Sequence, residues 1–159
     1  MEFKNTLEKY KKIVDKEIEL FFDKKIDEVE HSFLKTSYSF LKEFVLRDGK
    51  RLRPIAAIIA YKSVSEKEEE KIYKPAIAAE LFHASSLIHD DIMDEDSLRR
   101  SKPSMHKLFE EYFLKNYKEI NYKGEIFNKS STRFGVAMAI IQGNLLYSLA
   151  ESCLAEADF

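Results

Sequence analysis

The sequence is short of the residues that staple or bend a small protein, with one cysteine, three prolines and four glycines in 159 residues. A single cysteine, Cys153, excludes an internal disulfide and a cysteine-built zinc site, and it suits a reducing compartment. No apolar run approaches the roughly 20 residues needed to cross a bilayer, so an integral membrane segment is not expected. The N-terminal MEFKNTLEKYKK alternates charged and apolar residues where a secretory signal would be continuously apolar, which predicts a cytoplasmic chain. A formal charge of -2 supplies no overall basic field. Nucleic acid is therefore not an expected partner, and any anion site has to come from local clusters.

What is present is a helical pattern from end to end. Hydrophobic residues at 45% and charged residues at 34% describe one globular domain over residues 1–159. Phe3, Leu7, Tyr10, Val14, Ile18 and Phe21 recur at three- and four-residue steps, as one face of a helix does. The pattern continues through Ile26, Val29, Phe33, Leu34, Phe40, Leu41, Phe44 and Val45 until Gly49 interrupts it. A third helix is expected from Pro54, a favoured first-turn residue. SEKEEEK over residues 65–71 reads as a solvated turn and helix start. The helices PAIAAELFHASSLIHDDIMDED and RFGVAMAIIQGNLLYSLAESCLAEA are apolar around much of their circumference. Residues 110–132 are expected as a loop or insertion, because periodicity fails and Asn, Gly and Ser gather there. No strand and no repeat is expected.

Two constellations carry chemistry. Asp90, Asp91, Asp94, Glu95 and Asp96 put five acids within seven residues at the C-terminal end of a helix, where the dipole already presents negative charge. Asp90 and Asp94 are four apart and share a face, so their carboxylates can converge on a hard cation such as Mg²⁺, shared with phosphate oxygens. A solvated acidic face is the bland alternative. An EF-hand calcium loop is excluded, since Glu95 and Ser101 stand where it needs Gly and Glu. His83 lies two helical turns before Asp90 on the same face. It also pairs with Glu80 as Glu-x-x-His, but a di-iron site needs a second such pair, and the chain has none. The second constellation is basic: Arg47, Lys50, Arg51 and Arg53 against Asp48 give a local charge of +3 before a helix N-terminus, and Arg99, Arg100 and Lys102 follow the acids. Acid and base together suit a polyanion that brings its own Mg²⁺.

GKRLRP at 49–54, ELFHASSLIHDDIMDEDSLRRSKPSMHK at 80–107 and FGVAMAIIQGNLL at 134–146 resemble three ordered motifs of the trans-isoprenyl diphosphate synthases. The resemblance covers the chain from about Gly49 onward and identifies it with the N-terminal half of such an enzyme. It implies an all-α fold, an antiparallel helix bundle around a central cavity. It also implies that Asp90 and Asp94, with Asp91 between them, form the first aspartate-rich motif, the outer acids binding Mg²⁺ on an allylic diphosphate. By the same resemblance Arg99 holds the allylic diphosphate, and Lys50, Arg53, His83 and Arg100 hold isopentenyl diphosphate. Ser85 and Ser86 would form the floor that sets product length. The implied reaction ionises the allylic diphosphate, and the double bond of isopentenyl diphosphate then attacks the cation. Three features depart from the family. Asn144 follows Gly143 where the family has Asp, the 110–132 stretch is long, and no second DDxxD follows Asp94. A complementary C-terminal chain carrying that motif is therefore the expected partner, in a hetero-oligomer. The alternative is a non-catalytic regulatory subunit, which would not need so complete a ligand set.

Overall fold

A computed structural model describes residues 2–65 and 69–157. Six α-helices account for most of them: α1 (Glu2–Asp27), α2 (Ser32–Leu46), α3 (Leu52–Val64), α4 (Tyr73–Met93), α5 (Met105–Asn116) and α6 (Ser130–Ala155). The expected all-α class holds. Among the described residues the strands are confined to a two-residue antiparallel ribbon, β1 (Leu98–Arg99) against β2 (Lys102–Pro103). No helix is long and apolar enough to cross a membrane among these residues. The chain divides into two compact units, Met1–His83 with Leu146–Phe159, and Ala84–Leu145.

In the first unit, α1 buries Tyr10, Val14, Ile18 and Phe22, a four-residue repeat that keeps one face turned inward against α2. From α2 come Leu41, Phe44 and Val45, and from α3 Ile55 and Ile58. Each such side chain contributes about 1.5–3 kcal/mol when fully buried. A break over residues 28–31 separates α1 from α2, and His31 caps α2 by accepting the Phe33 amide at its Nδ1, 3.2 Å away. α3 begins at Leu52, two residues earlier than Pro54 suggested. Pro54 is still in the first turn, where its missing N–H leaves no bond unmade. Of the expected solvated turn at 65–71, residues 66–68 lie outside the described residues, and Glu69–Ile72 form a 3₁₀ turn leading into α4. Cys153 is fully buried, and burial pushes its thiol up to about 11, so it is a packing residue.

A buried charge network ties these helices together. Arg51, with 1% of its side chain exposed, donates from Nε to Asp15 Oδ1 and from Nη1 to Glu80 Oε1, both at 2.7 Å, and from Nη2 to the Arg47 carbonyl at 3.1 Å. It thereby joins α1, the start of α3 and the first half of α4. Removing one partner would strand a charge at a cost of about 3–5 kcal/mol. Arg51 holds a left-handed conformation, φ 50°, which this triple anchorage maintains.

In the second unit the margins of the expected 110–132 loop are helical. α5 runs to Asn116 and α6 starts at Ser130, so the irregular stretch is 117–129. It has its own order, with a bridge between Asn121 and Lys129 and a cap on α6: Glu119 Oε1 accepts from the Ser130 hydroxyl at 2.9 Å and the Ser131 amide at 3.2 Å. An acid at a helix N-terminus complements the dipole, and the hydrogen bonds that Glu119 accepts there, from the Ser131 amide and the Ser130 hydroxyl, hold its carboxyl below its usual range. α6 approaches α5 closely because residue 135 is glycine. A Cβ there would lie 2.4 Å from the His106 carbonyl oxygen, which is backbone and cannot swing aside.

Candidate active site

The acids gather where α4 ends. The Asp94 amide donates to the Asp90 carbonyl at 2.9 Å, which carries the helical turn one residue further and leaves both carboxylates on one exposed side. The helix then stops in a Schellman closure, with the Asp96 amide on the Asp91 carbonyl and the Glu95 amide on that of Ile92. Glu95 takes the left-handed conformation, φ 56°, that glycine usually fills. The chain reverses through the ribbon, whose two-residue loop, Arg100 and Ser101, has positive φ at both positions. That is the type I′ geometry that suits the twist of a hairpin.

The reversal carries Arg99 back onto the acids. Its Nε donates to Asp91 Oδ1 at 2.6 Å, its Nη2 also contacts Asp91, and the same nitrogen lies 3.2 Å from Asp90 and 3.8 Å from Asp96. Asp91 is fully buried, because it continues the stripe of Ala84 and Ile88 at four- and three-residue steps. Burial raises its pKa, and the Arg99 guanidinium pulls the other way. Asp90 and Asp94 therefore remain as the pair turned to solvent. Among the described residues no group of three or more His, Cys, Asp or Glu side chains converges. Asp90 and Asp94 are two carboxylates, the number with which Mg²⁺ is commonly held when phosphate oxygens and water complete its shell.

In the first unit the basic cluster is smaller than its sequence suggests. Arg47 is buried, hydrogen-bonded to Glu43 at 2.7 and 3.0 Å and stacked on the Phe44 ring at 4.8 Å. Arg51 is held by Asp15 and Glu80. Two of the four cations thus build the fold, and Lys50 and Arg53 are the two exposed ones. Glu80 is committed to Arg51, so the Glu80–His83 pair is not a metal-binding pair. His83 is half-buried on α4.

The two serines ahead of the acids differ. Ser85 is buried and its hydroxyl donates to the Gly143 carbonyl at 2.8 Å, whereas Ser86 is exposed. Gly143 has a role that the sequence reading missed. A Cβ there would fall 2.4 Å from Nε2 of His89, so glycine lets the His89 ring lie directly on α6. The signal available was a glycine inside an apolar helix, which marks close approach. Asn144 is exposed. His106, also missed, is buried at the start of α5 beside the Ser104 hydroxyl, 3.3 Å from its Nδ1, and burial lowers its pKa.

The polyprenyl synthetase family matches residues 35–158. A short chain isoprenyl diphosphate synthase of Methanocaldococcus jannaschii is 31% identical over 147 residues, 92% of this chain and 33% of that protein. The large subunit 1 of a chloroplastic heterodimeric geranylgeranyl pyrophosphate synthase of Arabidopsis thaliana is 48% identical over 69 residues, 42% of this chain and 18% of that protein. Among solved structures, the geranylgeranyl pyrophosphate synthase of Corynebacterium glutamicum, complexed with isoprenyl diphosphate and magnesium, superposes with a TM-score of 0.79 at 28% identity. That match covers 95% of this chain and 42% of that one. The chain thus spans about a third of the length of the first relative and 42% of that of this structure.

Proposed function

This chain belongs to the polyprenyl synthetase family, and we propose that it serves as one subunit of a trans-isoprenyl diphosphate synthase, joining isopentenyl diphosphate to an allylic diphosphate. The observation that carries this reading is the exposed pair Asp90 and Asp94, one turn apart, with Arg99 folded back onto Asp90 at 3.2 Å. Acids and guanidinium in one place suit a diphosphate that arrives with a metal. The magnesium named with the Corynebacterium structure supports Mg²⁺ as that metal. When bound, it would neutralise charge building on the departing diphosphate. Asp90 and Asp94 hold and orient that complex, and Arg99 fixes the diphosphate beside it. Lys50, Arg53, His83 and Arg100 would hold isopentenyl diphosphate. No side chain acts as a nucleophile. Residues 1–159 carry one DDxxD motif, and the name of the heterodimeric Arabidopsis relative supports the reading that a second chain brings the other.

The basic residues test the substrate assignment. Lys50→Ala and Arg53→Ala, both at exposed positions, are expected to raise KM for isopentenyl diphosphate in the assembled enzyme about ten- to hundredfold each, since a charge-assisted hydrogen bond contributes about 1.5–3 kcal/mol. kcat should move much less. An unchanged KM in both variants removes the basic site from the mechanism.

Product length is expected to follow Ser86 rather than Ser85. The Ser85 hydroxyl is engaged with Gly143, and bulk added there would push on α6. Ser86 is exposed and small, so Ser86→Phe should shorten the longest product by at least one isoprene unit with little change in stability. The same product distribution in chromatograms of both enzymes would dispose of the idea.

A further inference from the structure

Asp91 stands between two exposed acids, yet none of it is exposed to solvent. Its Oδ1 receives the Arg99 Nε proton at 2.6 Å and also contacts Nη2, and its Oδ2 is buried with no hydrogen-bond partner. To reach a cation beside Asp90 and Asp94, this carboxylate would have to leave the stripe it shares with Ala84 and Ile88. Arg99 is held unevenly by its neighbours. It meets Asp91 inside the fold, but it meets Asp90 and Asp96 at side chains that are 52% and 53% exposed, at 3.2 and 3.8 Å. An exposed ion pair is weak and screened by water, and a buried one is costly to break. Arg99 therefore exchanges its outer partners readily and keeps its inner one. The ribbon that presents Arg99 is closed at its base by the Ser104 amide on the Ser97 carbonyl at 3.0 Å. Its turn carries Arg100 and Ser101 at φ 53° and 62°, conformations that persist only where surrounding contacts over-determine them.

We propose that Asp91 is the positioning residue for Arg99 rather than a metal ligand: it anchors the guanidinium from inside the fold while Asp90 releases the outer edge to an incoming metal–diphosphate. In the ligand-free chain Arg99 neutralises Asp90 and keeps the acid pair from repelling itself open. Asp90 would then be free to hold a metal ion, and the guanidinium would turn its outer edge to phosphate oxygens while Asp91 keeps hold of it from inside. The middle acid of the motif thus acts at one remove, through the arginine. This inference rests on the proposed diphosphate site.

The test is a double-mutant cycle read by calorimetry, with inorganic pyrophosphate and saturating MgCl₂ as the probe. Asp91→Asn should weaken pyrophosphate binding about ten- to hundredfold, as should Arg99→Ala. The double variant should be no weaker than Arg99→Ala alone, because a residue that acts through Arg99 has nothing left to act through. Asp90→Asn, as a direct ligand, should keep its full loss when Arg99 is absent. Independent, additive losses for Asp91→Asn and Arg99→Ala overturn the inference while leaving the diphosphate site intact. Absence of any Mg²⁺-dependent pyrophosphate binding by the unaltered chain overturns both. If Asp91→Asn does not fold, nitrogen-15 spectra of the unaltered chain decide the matter. The Arg99 Nε proton should stay protected from exchange when Mg²⁺ and pyrophosphate are added, and loss of that protection removes the anchor.

Discussion

Replacing Asp90 or Asp94 with alanine is expected to lower turnover of the assembled enzyme by two to three orders of magnitude while the fold stays intact. Metal-assisted charge stabilisation is worth several kcal/mol, at about 1.4 kcal/mol per factor of ten. On the proposed reading each of these acids contributes to holding the metal. Neither supports the core: both are exposed, and both sit at the C-terminal end of α4, where the dipole makes negative charge unfavourable. The thermal midpoint should therefore hold steady or rise slightly in both variants. This combination, activity lost and stability kept, separates a ligand from a structural residue. Full turnover in either variant would remove the metal assignment. A large fall in melting temperature would make the acids part of the fold instead.

The second expected result concerns the chain by itself. Assayed with isopentenyl and dimethylallyl diphosphates and Mg²⁺, it should give no measurable product, and activity should appear when a helical chain carrying a second DDxxD is added. Residues 1–159 hold one DDxxD motif, so on the proposed reading a metal–diphosphate held by Asp90, Asp94 and Arg99 in this stretch by itself meets no acids from a second motif. A homodimer duplicates the first motif without supplying the second. Exposed apolar side chains support the same reading. In the first unit Leu52 and Ile59 of α3 and Tyr147 and Leu154 of α6 are 41–53% exposed, and with Phe3 and Leu7 of α1 the α3 pair lines an apolar groove of about 450 Å³. Surface of this kind is costly to leave in water. Robust turnover by the purified chain alone would overturn the two-chain reading. So would a lack of gain from any complementary chain that demonstrably binds it.

Much of this was determined by the sequence alone. Apolar residues at three- and four-residue steps can bury one face only as helices, so the all-α class was legible along the whole chain. The acids could be placed at a helix end and Asp90 paired with Asp94, because a helix fixes which residues share a face. The burial of Asp91 was also within reach, since it continues the Ala84–Ile88 stripe.

Other features depended on contacts between residues far apart in sequence, and only the tertiary structure decided them. Four cations between Arg47 and Arg53 look alike as a string, but Asp15 on α1 and Glu80 on α4 take Arg51, Glu43 takes Arg47, and Lys50 and Arg53 are left exposed. Ser85 and Ser86 are equally small, and what divides them is the carbonyl of Gly143, 58 residues on. The ribbon that returns Arg99 to the acids is two residues long on each side, too short to announce itself by alternation. Sequence period reports which face of a helix is buried. It does not report what that face meets, and the meeting decides which charges remain for a ligand.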